Sequence, residues 1–315
     1  MINQKTPVVF ENLNNFNLAG ILHKATADSS RDIAVLLISP GFKGRVAPHR
    51  LYVKMANRFN DLGFDVLRFD PEGIGDSEGE IIEDQAADVL SSIEIGRYIT
   101  DTISAMDWME KEHGAKSFIL SGLCGGAITG LLTAAEDTRV DSVLGLGIPV
   151  VLSSLKRQDP YAYISQGELR GMRKRYIMNA INLKKWWRFL TLRSDYRMIF
   201  KSIFMSAKPS ENQASSYGRK KPDLTKSSNL NPLFVKSIFS VLHSSRDICL
   251  IFSERDRLYY EFEEKFIARY QQDFQKFHNR CEISVVKDAN HIFSSPQWVE
   301  SMLSTACEWL IRKYP

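Results

Sequence analysis

The sequence predicts an α/β fold: a mostly parallel sheet flanked by helices, interrupted late by a mainly helical insertion. Three observations predict it. Short apolar runs alternate with longer amphipathic stretches, as in a parallel sheet with crossover helices. Residues 121–126, Ser-Gly-Leu-Cys-Gly-Gly, form a tight glycine turn between an apolar run and a small-residue helical stretch. About a hundred residues after the run at 143–148 carry no clear strand signal and a different charge balance.

The elements follow in order. Residues 7–24 read as a hairpin, with Val8-Val9-Phe10 facing 18–22, and 33–39 as a nearly continuous apolar strand. The turn Pro40-Gly41-Phe42-Lys43-Gly44 follows. Residues 50–62 alternate at helical spacing and stop at Gly63, and 64–69 form the next strand. Residues 70–79 hold Gly73, Gly75 and Gly79 and cannot be helical. The stretch 84–113 is long enough for one or two helices. Residues 117–120, 143–148, 248–253 and 283–287 read as buried strands, and 296–313 closes as an amphipathic helix. The expected division is a core of residues 1–150 and 247–315 with a basic helical cap at 151–246. Inside the cap, 166–179, 184–188, 196–205 and 231–243 look helical, and the polar stretch 208–230 reads as a loop.

Composition limits the function. At 315 residues and 44% hydrophobic, the chain can bury a large core. No apolar run reaches the roughly 18–20 residues of a membrane helix, and the first residues lack a secretory pattern, so a cytoplasmic protein is expected. Cys124, Cys249, Cys281 and Cys307 show no metal-type spacing, and no metal or cofactor is expected. The net charge of +4 conceals a balance of +14 over 151–246 against −10 elsewhere. Lys184-Lys185-Trp186-Trp187-Arg188 mixes cations with aromatics. A solvated helical face is its ordinary reading. Its functional readings are contact with an acidic acyl-carrier protein, with coenzyme A, or less favourably with anionic lipid. No nucleic-acid-binding fold is present and the rest of the chain is acidic, which argues against nucleic acid.

Gly122-Leu123-Cys124-Gly125-Gly126 carries the chemistry. Strand, Gly-x-nucleophile-x-Gly turn and helix is the setting of a nucleophile elbow, where small flanking residues let strand and helix approach. Most elbows carry Ser. A thiol is the better nucleophile and loses its proton more readily, especially beside a histidine or a helix N-terminus. The plain alternative is a buried structural Cys.

With the elbow in place, the chain resembles the α/β-hydrolase superfamily over nearly all of its length outside the insertion. Ser39-Pro40-Gly41-Phe42 matches the oxyanion loop. Residues 70–79 look like the glycine-rich loop of the serine-aminopeptidase-like branch, with Glu72 where an Arg is usual. A Cys at the elbow is similar to dienelactone hydrolases and polyhydroxyalkanoate synthases, and the surrounding sequence resembles hydrolases associated with bacterial exosortase loci. The resemblance puts Asp256 in the position of the acid and His291 in that of the base, in the chain order of this fold. Glu254, and less plausibly Asp288, are rival acids. It implies oxyanion stabilisation by the backbone N–H groups of Phe42 and Gly125. His49 and Leu123 are expected to line the substrate pocket.

The implied activity is ester or thioester hydrolysis through an acyl-Cys intermediate. Acyl transfer from a carrier-borne thioester to a non-water acceptor is the close alternative. A hydrolase-like protein that only binds a ligand is the non-enzymatic one.

Overall fold

The computed structural model describes residues 4–25, 31–154 and 229–315. The helices expected at 166–179, 184–188 and 196–205 and the loop at 208–228 lie outside them.

Eight strands form one sheet in the order β1-β2-β4-β3-β5-β6-β7-β8. Strands β1 (Gln4–Glu11) and β2 (Asn17–Lys24) make the expected hairpin, and β2 joins β4 (Asp65–Phe69) antiparallel. From there β3 (Ile33–Ile38), β5 (Ser117–Leu123), β6 (Val140–Leu146), β7 (Asp247–Ser253) and β8 (Cys281–Val286) all run parallel. The central strands are apolar throughout because helices cover both of their faces. The edge strand β8 instead alternates, leaving Ile283 and Val285 partly exposed.

Strand parity sorts the core into two layers. Leu36, Ile38, Phe118 and Leu120 point to the side of α2 (Ala86–Glu94), α3 (Ile99–His113) and α4 (Gly125–Glu136). Val35, Leu37, Val66 and Ile119 point to the opposite side, where α1 (Leu51–Asp61) supplies Tyr52, Met55 and Phe59. The helix of residues 296–313 adds Met302, Trp309 and Leu310 to that layer.

One boundary moves. Residues 231–243, which the charge balance assigns to the cap, form α5 (Pro232–His243), capped by the Asn231 side chain accepting the Leu233 N–H. Phe234, Ile238, Val241 and Leu242 of α5 are buried in the same layer as α4. The helix carries a single charged residue, Lys236, so a count of charge has no resolution there. Ahead of α5, Leu230 bridges Val151, the Leu152 N–H donates to Asn229 O (2.9 Å) and the Asn231 N–H to Val150 O (2.8 Å). The chain therefore leaves and re-enters the core side by side. Glu94, buried at the end of α2, accepts from both the N–H and the hydroxyl of Ser153 at 2.7 and 2.5 Å.

After β7 come α6 (Arg257–Glu261), a π-helical turn (Phe262–Ile267) and α7 (Ala268–Phe274), followed beyond β8 by α8 (Pro296–Lys313). Among the described residues no helix is long and apolar enough to cross a membrane.

Candidate active site

Cys124 stands between β5 and α4 with φ 54° and ψ −113°, a left-handed conformation unusual for a residue with a side chain. Its neighbours explain how the turn closes. A β-carbon on Gly122 would lie 2.5 Å from the Gly126 carbonyl carbon, and one on Gly126 would overlap Ile38 O. Strand β5, helix α4 and the end of β3 meet there with no room for side chains. The Cys124 N–H donates to Leu146 O at 2.8 Å, fixing the turn to β6. Cys124 is partly exposed, whereas Cys249, Cys281 and Cys307 are buried.

Asp256 and His291 come from the loops after β7 and β8. Asp256 is 7% exposed; its Oδ1 accepts the Leu258 N–H at 3.2 Å and its Oδ2 lies 2.6 Å from His291 Nδ1. Two backbone bonds hold the loops together: the Glu254 N–H to Val286 O (3.1 Å) and the Arg255 N–H to Ala289 O (3.0 Å). Burial disfavours the charged imidazole, yet hydrogen bonds to Asp256 and Cys124, with their negative charges, outweigh it and push His291 up to about 10. His291 is thus hydrogen-bonded to Asp256 and responds electrostatically to Cys124. The rival carboxylates are occupied elsewhere: Glu254 accepts the Asp288 N–H at 2.6 Å, and Asp288 pairs with Arg255.

The loop of Phe42 lies against the start of α4. A β-carbon on Gly125 would sit 3.3 Å from Pro40 O, so the two expected oxyanion donors, the N–H groups of Phe42 and Gly125, belong to facing segments. The Gly125 N–H opens α4, where helical amides lack intrahelical acceptors. Asp70, 1% exposed, anchors this side. It accepts from the backbone and guanidinium of Arg45 and from the Asp76 N–H, and Arg45 reaches on to Asp76. Gly44 and Gly75 close tightly around this carboxylate. Glu72 is turned to the hairpin, accepting from Asn12 and Asn14 at 3.0 and 2.8 Å.

Two expected pocket residues fare differently. Leu123 is 1% exposed and packs in the layer of α1 and α8, because strand parity points it to the side of Ile119. Its place is in the core rather than in a pocket wall. His49 is exposed, with φ 55°, between the loop of Phe42 and α1. Lys184, Lys185 and Arg188 lie outside the described residues.

Sequence reasoning missed two residues. Gly147, at φ 52°, lets β6 leave past Asp256 and His291, since a β-carbon there would sit 3.3 Å from Asp256 Oδ2 and 3.6 Å from His291 Nδ1. Tyr52, fully buried on α1, accepts the Leu123 N–H at 2.6 Å and donates to Ile38 O at 2.7 Å. Gly147 lies just past the end of β6, inside the span 143–148 that the sequence reads as strand; Tyr52 carries no local signal.

No family model matches the sequence, and no curated protein does. Solved structures do. An esterase of Pyrococcus furiosus, Pf2001, superposes with a TM-score of 0.57 at 16% identity, covering 98% of this chain and 91% of its own. XC6422 of Xanthomonas campestris, described as an α/β serine hydrolase without a lid, gives 0.53 at 11% identity, covering 100% and 97%. A dienelactone hydrolase of Anabaena variabilis gives 0.54 at 14% identity, covering 98% of each chain. With the strand order and the elbow already described, these likenesses make the fold that of the α/β hydrolases.

Proposed function

We propose that the chain is an acyl-ester or thioester hydrolase in which Cys124, His291 and Asp256 act as nucleophile, base and acid. The observation that supports this most is the conjunction at one point: a thiol held in left-handed backbone at the head of α4, beside an imidazole whose other nitrogen meets a buried carboxylate.

The chemistry follows from these groups. His291 takes the Cys124 proton on the nitrogen that Asp256 does not engage, giving a thiolate–imidazolium pair. The sulfur attacks the acyl carbonyl, and the N–H groups of Phe42 and Gly125 stabilise the oxyanion. Collapse expels the alcohol or thiol, which takes its proton from His291, and leaves an acyl-Cys thioester. Acylation removes the negative charge from sulfur, and with it part of what holds His291 protonated. The neutral ring then withdraws a proton from the incoming water, which releases the acid and restores the thiol.

The basic stretch around Lys184, Lys185 and Arg188 supports an anionic substrate or carrier, such as an acyl thioester of coenzyme A or of an acidic carrier protein. Neutralising the three together is expected to raise KM for an acyl-coenzyme A and leave a small neutral ester unaffected. The reaction class is tested by offering acyl esters and thioesters with and without an amine acceptor. Free acid as the main product agrees with hydrolysis; an amide in its place assigns the protein to acyl transfer.

A further inference from the structure

The strand order of the sheet reverses between β3 and β5: the chain leaves β3 towards β4 on one side, while β5 lies on the other. Open α/β sheets place their sites in the crevice at such a point, where neighbouring strand ends must part. Here the last paired residues are Ile38 and Gly122. Beyond them one strand runs into the oxyanion loop and the other into the elbow.

One residue further on, the Leu123 N–H and the Ile38 carbonyl share a side-chain partner. The Tyr52 hydroxyl bonds to both, accepting from the first at 2.6 Å and donating to the second at 2.7 Å. A direct backbone bond would bring that N–H and C=O to about 2.9 Å. The Tyr52 oxygen joins the end of the strand that runs into the elbow to the end of the strand that runs into the loop of Phe42.

We propose that Tyr52 is a positioning residue, a hydroxyl wedge between the carboxyl ends of β3 and β5 that sets the separation of the Cys124 thiol from the oxyanion-loop amides. Its setting suits the task. The ring is carried by α1 and wedged among Met55, Phe59 and the underside of the sheet, and the side chain is 0% exposed. Burial pushes the phenol pKa up, so the hydroxyl stays protonated and keeps donating to Ile38. The donor and one acceptor site are both used on backbone groups, which leaves the oxygen little freedom to move.

The catalytic part of this inference rests on the acyl-Cys reading; the geometric part does not. Tyr52→Phe keeps the ring and removes the oxygen. Its crystal structure is expected to show Leu123 N–H closing directly onto Ile38 O. Its kcat should fall on the order of 100-fold with KM within about threefold of wild type, as expected when reacting groups are displaced by about an ångström. Met55→Ala, one turn along the same helix, controls for loss of packing and should lower thermal stability while keeping kcat.

Strand ends that stay in place in Tyr52→Phe would overturn the wedge. So would a kcat loss below about tenfold, or an equal loss in Met55→Ala. Failure of Tyr52→Phe to fold while Met55→Ala folds would make Tyr52 a structural residue and also sink it. If wild type never acylates Cys124, the acyl-Cys reading fails instead, and the strand-end separation still decides the wedge.

Discussion

The two walls of the site are built by different physics. The turn at Cys124 and the Asp256–His291 pair are fixed by backbone: Cys124 N–H on Leu146 O, Arg255 N–H on Ala289 O, glycines at 122 and 126 where any side chain would collide, and Gly147 in left-handed backbone. The loop after Phe42 and the glycine-rich loop are fixed by charge, with Arg45 bound to buried Asp70 and exposed Asp76. A wall made by close approach fails abruptly when volume is added. A wall made by ion pairs weakens by degrees, and its exposed edge responds to salt.

The largest effect belongs to the backbone-fixed wall. His291→Gln or Asp256→Asn is expected to lower kcat by about 10⁴-fold, the scale seen when a triad loses its base or its orienting acid. Steady-state turnover on an activated ester checks this; losses below tenfold would detach the pair from the reaction. Gly126→Ala comes next. Its methyl would overlap Ile38 O, a backbone atom that cannot rotate away, so a loss of more than about 3 kcal/mol is expected in chemical denaturation. Tolerance of that methyl would show that the close approach is not what holds the turn.

On the other wall, Asp70→Asn leaves the partly buried Arg45 without its main counter-charge and is expected to cost about 3–5 kcal/mol. Asp76 is 72% exposed at its side chain, so Asp76→Asn should cost under about 1 kcal/mol and less still at high salt. Equal costs for the two would mean that burial does not decide the strength of this cluster.

His291 also gives the backbone-fixed wall a pH signature. Its folded pKa, about 10, lies above the ordinary 6.5, so protonation favours the folded state. That contribution is complete below 6.5 and is lost as pH rises through 10. The difference in Tm between wild type and His291→Gln is therefore expected to be largest near pH 6 and to shrink towards pH 10. A difference that grows with pH would reverse the assigned cause.

The backbone-fixed wall was also the legible one. Turn glycines and apolar runs are local signals that mark the turn at Cys124, and the family resemblance then singles out Asp256 and His291 on loops that the fold brings together. What local signals could not give was contact across sequence. Tyr52 reads as one more apolar-face residue of a helix, because its partners at 38 and 123 are set by the sheet order. Asp70 was visible within its loop, but its grip on Arg45 was not. Leu123 was misread by proximity to Cys124, although the alternation of β5 already turned it to the α1 side. The helix at 232–243 was assigned by charge when its apolar face, Phe234, Ile238 and Val241, decided its layer.

The central claim is that an acyl group passes through Cys124. Intact-protein and peptide mass spectrometry after rapid acid quench, with an activated acyl ester or thioester in excess, measures it directly. The account predicts one acyl mass on the Cys124 peptide of wild type, formed faster than turnover, accumulating further in Asp256→Asn, and absent in Cys124→Ala together with activity. Product release that continues in Cys124→Ala, with no acyl group found on Cys124 in wild type, would contradict it.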